Sequence, residues 1–375
     1  MDRDELRAWL RLTLSPGVGN EASRKLLATF GSAQAIFEQR AATLKQLLGD
    51  KLGQALAEEP ATLDALLQTT ITWLASAPDR QVVTLGDTAY PASLLNIADP
   101  PLMLYMMGSL VKGSAAGDDT NCLAIVGSRN PTPQGEINAR QFAKTFGASG
   151  MCVVSGLAMG VDGAAHDGAL LGGGTTIAVV GTGLDRVYPK KHLELAHRIA
   201  ASGMIVSEFP LGTPPISSNF PKRNRIISGL SQGTLVIEAA LKSGSLITAR
   251  MATEQGKEVF AIPGSIHSPQ SRGCHWLIKQ GAKLVENAED VLEELQLPVM
   301  RHAESDAPED DEASETAPAD AGFMSALGFD VVSLDALQAR TGMPTPELQT
   351  KLLELELEGQ LTRLPGGLFQ RMSRG

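Results

Sequence analysis

The chain has 375 residues, of which 43% are hydrophobic and only 4% aromatic, so it is long enough to form two or three domains. Its first residues, MDRDELRAWL, are charged and lack the apolar core of a signal peptide. No stretch approaches the ~20 apolar residues that a membrane helix needs. These features argue against secreted and membrane-spanning classes, and we expect a cytoplasmic protein without a membrane partner.

The cysteines also point to a reducing compartment. Cys122, Cys152 and Cys274 form no CxxC pair, and the first two fall at or inside strand-like apolar runs. We interpret them as reduced thiols buried in the core of a cytosolic protein. The cysteines therefore predict no structural zinc. We also expect no other metal site and no cofactor.

The net charge of −10 is unevenly distributed along the chain. Residues 122–285 contain 16 lysines and arginines against 9 aspartates and glutamates, whereas eight carboxylates lie between Glu304 and Asp320. The middle of the chain is therefore cationic, which favours a polyanionic partner although the whole protein is acidic.

Residues 1–75 have the pattern of a small helical domain, with ELRAWLRL and NEASRKLLATFG separated by SPGVG. Gly31 is a predicted C-cap, and Ser32 is the predicted N-cap of the next helix. The SPGVG turn is similar to that of SAM-like or helix-hairpin-helix domains, whose glycines let backbone amides approach a phosphate. Because lysine and arginine are sparse around it, a plain interhelical turn is the alternative.

Residues 82–296 are predicted to form the main domain. A proline-punctuated segment, 82–112, ends in the strand-like LMLYMMGS. From Leu123 onward, short Val/Ile-rich runs alternate with segments of helix length: LAIVG, MCVVSG, TIAVVG, MIVSE, TLVIEA, EVFAIPG and AKLVE. Strands so uniformly apolar are buried on both faces, and this alternation predicts a doubly wound, mostly parallel α/β sheet of the Rossmann-like kind. Residues 300–321 are predicted to be an acidic, disordered linker.

Polar side chains and glycines follow several predicted strands. In open α/β sheets the ligand binds beyond the carboxyl ends of the strands. Glycines and helix N-termini favour anions there, and several adjacent anion sites suit a phosphodiester chain better than a single mononucleotide. Five cations lie among these strand ends: Arg129, Lys190, Arg223, Arg225 and Lys242.

Other site chemistries fit less well. VVGTGLDR resembles a dinucleotide-binding fingerprint, but Arg186 occupies the third glycine position and VYPKK intervenes before a helix can begin. Asp162 and His166 lie four apart on a predicted helix without further metal ligands, so we interpret them as a helix-start acid and a hydrogen-bonded structural histidine. No GxSxG, HExxH or paired Cys–His arrangement indicates a hydrolytic centre.

Six ordered blocks resemble the DNA-processing protein A family (DprA, also called Smf): VGSRNPTPQG, VVSGLAMGVDGAAH, VVGTGLDRVYPKKH, SEFPLGTPP, NFPKRNRIISGLS and EAALKSGSLITAR. The resemblance implies a cytoplasmic, homodimeric protein that binds single-stranded DNA. It also implies protection of incoming DNA and loading of the RecA recombinase during natural transformation. The family fold is a Rossmann-like core, commonly with a helical domain before it and a winged-helix-like module after it.

The resemblance also implies which residues contact DNA. The cations would pair with phosphates, and Phe220 would stack on a base. The alternative for Phe220 is a place in the core, and the alternative for Arg223 and Arg225 is ion-pairing inside the domain. The predicted DNA-binding residues are Gly127, Ser128, Arg129, Gly156, Lys190, Phe220, Arg223, Asn224, Arg225, Lys242, Ser243, Gly244 and Ser245. No catalytic residue is expected.

Residues 322–375 have the helix–turn–helix–wing order, with Thr345 and Pro346 starting the second helix and LPGG at the wing tip. That helix has four glutamates against one lysine, and such charge is repelled from a major groove. We therefore interpret the module as a protein-contact or dimer-supporting element.

An enzyme is the alternative for the whole chain. SQGTLVIEAA is similar to an element of cytokinin-activating phosphoribohydrolases, with Thr234 and Glu238 matching. Ser231 and Gln232 replace two small residues expected there. In this alternative the chain would process nucleotides.

Overall fold

The computed structural model describes residues 1–109, 121–297 and 323–372, except residues 325, 329 and 330. Its main feature is a nine-stranded sheet in the order β1-β2-β6-β5-β4-β3-β7-β8-β9. The strands are Arg80–Thr84 (β1), Met103–Met107 (β2), Cys122–Val126 (β3), Cys152–Ser155 (β4), Thr176–Val179 (β5), Met204–Ser207 (β6), Gly233–Val236 (β7), Glu258–Ala261 (β8) and Lys283–Leu284 (β9).

The sheet is parallel from β6 to β9, and β1 and β2 add an antiparallel edge. All seven predicted runs from Leu123 onward are strands, and LMLYMMGS contains β2, so the predicted fold class is confirmed. Strand β1 was not predicted, because only two of its five residues, Val82 and Val83, are apolar.

Helices cover both faces of the sheet. They are Pro133–Ala148 (α7), Val161–Leu171 (α8), Leu193–Ser202 (α9), Asn219–Leu230 (α10), Ser245–Glu254 (α11), Arg272–Lys279 (α12) and Ala288–Glu294 (α13). Alternate residues of β3 enter opposite cores: Leu123 and Ile125 pack with α7 and α8, whereas Ala124 and Val126 pack with α10 and α11. This burial on both faces explains why the strands are apolar throughout.

Six helices precede the sheet: Arg3–Leu14 (α1), Asn20–Phe30 (α2), Ala33–Phe37 (α3), Ala41–Leu48 (α4), Asp50–Ala57 (α5) and Leu63–Ala75 (α6). As predicted, Gly31 ends α2, with φ +85°, and the Ser32 hydroxyl accepts from the Ala35 amide at 3.1 Å. The apolar cluster of the six helices continues into Tyr105 of β2 and Ile205 of β6, so the helical region packs against the sheet.

The C-terminal module has helices at Leu334–Thr341 and Thr345–Leu357 and a three-stranded sheet of Val332–Ser333 (β10), Leu361–Leu364 (β11) and Leu368–Arg371 (β12). The second helix carries a proline in its first turn, as predicted. Gly366 and Gly367 make the wing turn with φ values of +86° and +70°. The predicted linker, 300–321, lies outside the described residues, and the limits 1–75, 82–296 and 322–375 stay predictions.

The three cysteines are buried and form no disulfide, and the burial of Cys122 and Cys152 was predicted. Across the described ranges, no helix is both long and apolar enough to cross a bilayer.

Candidate nucleic-acid interface

A groove of about 690 Å³ opens at the carboxyl ends of β3 and β7. The chain passes from β3 outward to β6 and then returns to β7 on the other side of β3, so this is the topological switch point where open α/β sheets bind ligands. Most of the predicted site residues line it: Gly127, Ser128, Arg129, Phe220, Arg223, Asn224, Lys242, Ser243, Gly244 and Ser245. Gly156, Lys190 and Arg225 are not among its lining residues.

The loop after β3 forms one wall. The Ser128 hydroxyl accepts from the Asn130 amide at 3.1 Å, and a Cβ at Gly127 would lie 2.7 Å from Val161, so only glycine fits that position. The exposed Arg129 guanidinium carbon lies 5.7 Å from the centre of the Phe220 ring. Within the described residues Arg129 is in no ion pair, so its charge is available to an anion.

The loop after β7 forms the opposite wall, and it ends at the first residue of α11. The Ser243 and Ser245 hydroxyls lie 2.7 Å apart, and the Asn224 amide donates to the Gly244 carbonyl at 3.4 Å. Gly244 is the N-cap of α11, and the first amides of the helix donate within the protein, that of Ser245 to the Ser243 hydroxyl at 3.4 Å. The exposed Lys242 lies beside this helix N-terminus. Hydroxyls and a cation at a helix N-terminus suit a phosphate.

Arg223 lines the groove but is almost fully buried. Its guanidinium donates to the Gly156 and Val179 carbonyls, lies 3.9 Å from Asp162 and is 4% exposed. Burial lowers its pKa to about 10. We predicted that Arg223 pairs with phosphates, with ion-pairing inside the domain as the alternative; the structure favours the alternative, because the side chain is held by internal partners.

Arg225 is also held inside the protein. It forms a salt bridge with Glu208, and its Nε lies 3.3 Å from Asp99 Oδ2 and donates to the Asp99 carbonyl at 2.8 Å. Asp99 accepts in turn from Arg24 at 2.9 Å and Asn20 at 3.1 Å on α2. Here too the structure favours internal pairing over the predicted phosphate contact. The same network joins the helical region to the sheet. Asn20, the residue directly after SPGVG, also donates to Glu208 at 3.3 Å, so two carboxylates lie beside this turn, which favours a plain interhelical turn there.

The end of β4 is occupied by the protein's own side chains. Asp162, in the first turn of α8, accepts from the Ala158 amide at 3.3 Å, and the Gly156 carbonyl binds Arg223. Burial raises the pKa of Asp162. His166 contacts the Thr176 hydroxyl at 2.6 Å, as expected of a structural histidine, and burial lowers its pKa to about 3. Gly156 therefore contacts the Arg223 guanidinium and does not form an open phosphate site.

Lys190 is exposed at the start of a 3₁₀ turn, Lys190–His192, beyond the end of the groove. Sequence reasoning missed Tyr188, Asn130 and Gln270, which line the groove, with Gln270 donating to the Asn130 carbonyl at 3.3 Å. Gln270 follows β8, so extending the strand-end reasoning to that strand would have found it. Tyr188 lies in the block VYPKKH, in which only Lys190 was predicted to contact DNA.

The geometry disfavours the other site chemistries. Glu238 accepts from the Thr132 amide at 2.9 Å and hydroxyl at 2.5 Å, so the carboxylate of the enzyme alternative serves the start of α7. After β5 the chain does not enter a helix before Lys190, unlike a dinucleotide fingerprint. In the described part of the chain no three His, Cys, Asp or Glu side chains form a metal-binding group.

Comparison with known proteins decides the family. The family model for DNA recombination-mediator protein A matches residues 81–296, and that for the DprA winged helix domain matches residues 307–367. The chain belongs to the DprA family. It is 44% identical over 313 residues to protein Smf of Escherichia coli, with 82% of this chain and 81% of that protein covered. DNA processing protein DprA of Bacillus subtilis is 43% identical over 216 residues, covering 57% of this chain and 70% of that one.

Solved structures of the DprA family share the fold. DNA processing protein A of Streptococcus pneumoniae superposes with a TM-score of 0.66 at 35% identity, covering 78% of this chain and 98% of that one. The Helicobacter pylori protein, described for its single-stranded DNA binding mode, superposes with a TM-score of 0.51 at 32% identity, covering 58% and 96%.

Proposed function

We propose that the chain binds single-stranded DNA of any sequence in the groove between β3 and β7 and performs no chemistry on it. The observation that carries this proposal is the convergence on one open groove of Arg129, Lys242, the Ser128 and Ser243 hydroxyls and the half-buried ring of Phe220. Cations and hydroxyls recognise phosphates, whereas the ring recognises any base, so neither reads sequence. The single-stranded DNA binding described for the Helicobacter pylori relative supports the same assignment.

The test is a mobility shift with single- and double-stranded oligonucleotides of equal length. Arg129→Ala and Lys242→Ala should each weaken single-strand binding about 5- to 30-fold, which is 1–2 kcal/mol per lost charged contact. The matched control is Arg250→Ala, because Arg250 is an exposed arginine on α11 that pairs with Glu254 and does not line the groove. Unchanged affinity in both groove variants, or an equal loss in the control, contradicts the proposal.

The absence of catalytic turnover is part of the proposal. Glu238, the candidate acid of the phosphoribohydrolase alternative, is hydrogen-bonded by Thr132, and burial raises its pKa. Incubation with nucleoside monophosphates should therefore release no free base and no ribose phosphate. Release that disappears in Glu238→Gln would establish the enzyme instead.

We extend the proposal to the biological role of the DprA family. Bound DNA would be shielded from nucleases and handed to the RecA recombinase during natural transformation, in the cytoplasm, where thiols stay reduced. Degradation of a labelled strand by an exonuclease, with and without the protein, tests the protection. Stimulation of RecA filament formation on a strand coated with single-strand-binding protein tests the loading, and an unchanged filament rate contradicts it.

We further propose a homodimer. Ile266 (74% exposed), Trp276 (44%) and Leu284 (49%) lie near the β9 edge of the sheet, and the His275 ring contacts the Gly264 carbonyl at 2.9 Å, which holds the Ile266 loop beside α12. Apolar side chains grouped in this way favour a protein contact. Light scattering should give twice the chain mass for the wild type and a lower mass for Trp276→Glu, whereas a monomeric wild type contradicts the dimer.

A further inference from the structure

We propose that Tyr188 is the outward-facing base-stacking residue of the groove, a role that rests on the proposed binding of single-stranded DNA. Tyr188 is 48% exposed and lines the groove on the β5 side, away from the phosphate-binding walls at β3 and β7. Its ring centre lies 5.8 Å from that of Phe220, with 37° between the ring planes. The two rings therefore form a pair in which Tyr188 is the outer member.

Phe220 cannot easily present both of its faces to a base. A Cβ built on Gly181 would lie 3.2 Å from the Phe220 ring, so the ring packs closely on that backbone. The Arg129 guanidinium carbon lies 5.7 Å from the ring centre, and the Arg223 guanidinium carbon lies 6.0 Å from it. Phe220 is thus packed against the protein and only partly exposed, and Tyr188 offers the larger accessible aromatic surface.

The chain is anchored both before and after Tyr188. The His192 ring, four residues on, contacts the Leu157 carbonyl at 3.0 Å, and the Asn219 amide donates to the Gly181 carbonyl at 3.2 Å. The anchoring fixes the ring pair relative to Arg129, so a base can stack on Tyr188 while its neighbouring phosphate reaches the guanidinium. Stacking of this kind accepts every base because each has a π-face.

The binding experiment compares a dT oligonucleotide with an abasic oligonucleotide of the same length. Tyr188→Ala should weaken dT binding roughly tenfold, the scale of one stacked base, and leave binding of the abasic strand within about twofold. Tyr188→Phe should restore dT binding, because the ring and not the hydroxyl stacks. Tyr188→Leu, which keeps apolar bulk without a ring, should not restore it.

A second measurement uses the exposure of the tyrosines. The chain has three, and Tyr90 and Tyr105 are 6% and 0% exposed, so tetranitromethane should nitrate Tyr188 alone. Excess dT should protect Tyr188 from nitration, as read by peptide mass, and the abasic strand should protect it less. This arm does not depend on the folding of any variant.

The outcomes separate the inference from the function that it rests on. Equal losses of dT and abasic binding in Tyr188→Ala, unchanged dT binding, or nitration at full rate in the presence of dT would each overturn the role of Tyr188 and leave the groove as a DNA site. A wild-type protein that binds neither strand overturns both proposals.

Discussion

Two arginines that look alike in sequence should behave differently when each is changed to alanine. Arg225 is a buried hub with a side-chain exposure of 12%, paired with Glu208 (18%) and Asp99 (48%). Removing one partner of a buried ion pair costs about 3–5 kcal/mol. Because Asp99 is half-exposed and can be hydrated, we expect the lower end, about 3 kcal/mol, which lowers Tm by about 6–12 °C for a domain of this size. Arg129 is exposed and forms no salt bridge with any residue that the structure describes, so Arg129→Ala should shift Tm by about 1 °C or less.

Single-strand binding should show the opposite order. Arg129→Ala removes one cation from the groove, so the slope of log K against log salt should become shallower by about 0.7. Arg225→Ala, measured at a temperature where it remains folded, should keep the wild-type slope. The assays are thermal denaturation by circular dichroism and fluorescence anisotropy titration from low to moderate salt.

A double-mutant cycle with Glu208→Ala tests the reason for the stability loss. If the two residues stabilise the protein through their pair, the double variant should be more stable than the sum of the single effects by about 1 kcal/mol or more. An Arg225→Ala variant with wild-type Tm and a shallower salt slope would refute the reasoning and return Arg225 to the phosphate contacts predicted from the sequence.

Two further predictions concern buried groups. His166 is fully buried with a pKa lowered to about 3, so below pH 6.5 the unfolded chain binds a proton at this ring that the folded protein does not bind. The free energy of unfolding should therefore fall by about 2 kcal/mol between pH 7 and 5. Denaturant titrations of His166→Asn should lack this part of the pH dependence. An identical pH dependence in the variant contradicts this assignment. Gly156→Ala places a Cβ against the Arg223 guanidinium and should cost about 1–3 kcal/mol while weakening DNA binding without removing any polar group. Wild-type stability in Gly156→Ala would show that the Arg223 guanidinium does not pack against Gly156.

The sheet could be predicted because its strands are buried on both faces. Runs such as LAIVG and TIAVVG have no polar alternation to misassign, and each became a parallel strand. The order of the strands was not accessible in this way. That β7 returns beside β3 depends on pairing across more than a hundred residues, and it is this return that brings the Ser128 loop and the Lys242 loop to one groove.

The candidate site was predicted less well wherever a charge could be satisfied internally. Composition shows that Arg225 is a cation but not that Glu208 and Asp99 face it from β6 and from the segment before β2. The same holds for Asp162, whose carboxylate occupies the β4 end that glycines had suggested as open. Arg129 and Lys242 are exposed in the groove and form no salt bridge with a described residue, and their contact with DNA stays a prediction.

The helical period by itself separates the two arginines of FPKRNR. At 100° per residue, Phe220, Arg223, Asn224 and Ile227 fall within one narrow face of α10, and all four line the groove, whereas Arg225 lies on the far side. The five cations predicted from strand ends would give a salt slope of about −3.5, since each phosphate neutralised on a single strand contributes about −0.7. With Arg223 and Arg225 held internally, three remain, Arg129, Lys242 and Lys190, and the slope should be about −2.1. A measured slope near −3.5 would mean that DNA displaces the internal partners of both arginines, whereas a slope near −2 requires both arginines to keep those partners when DNA is bound.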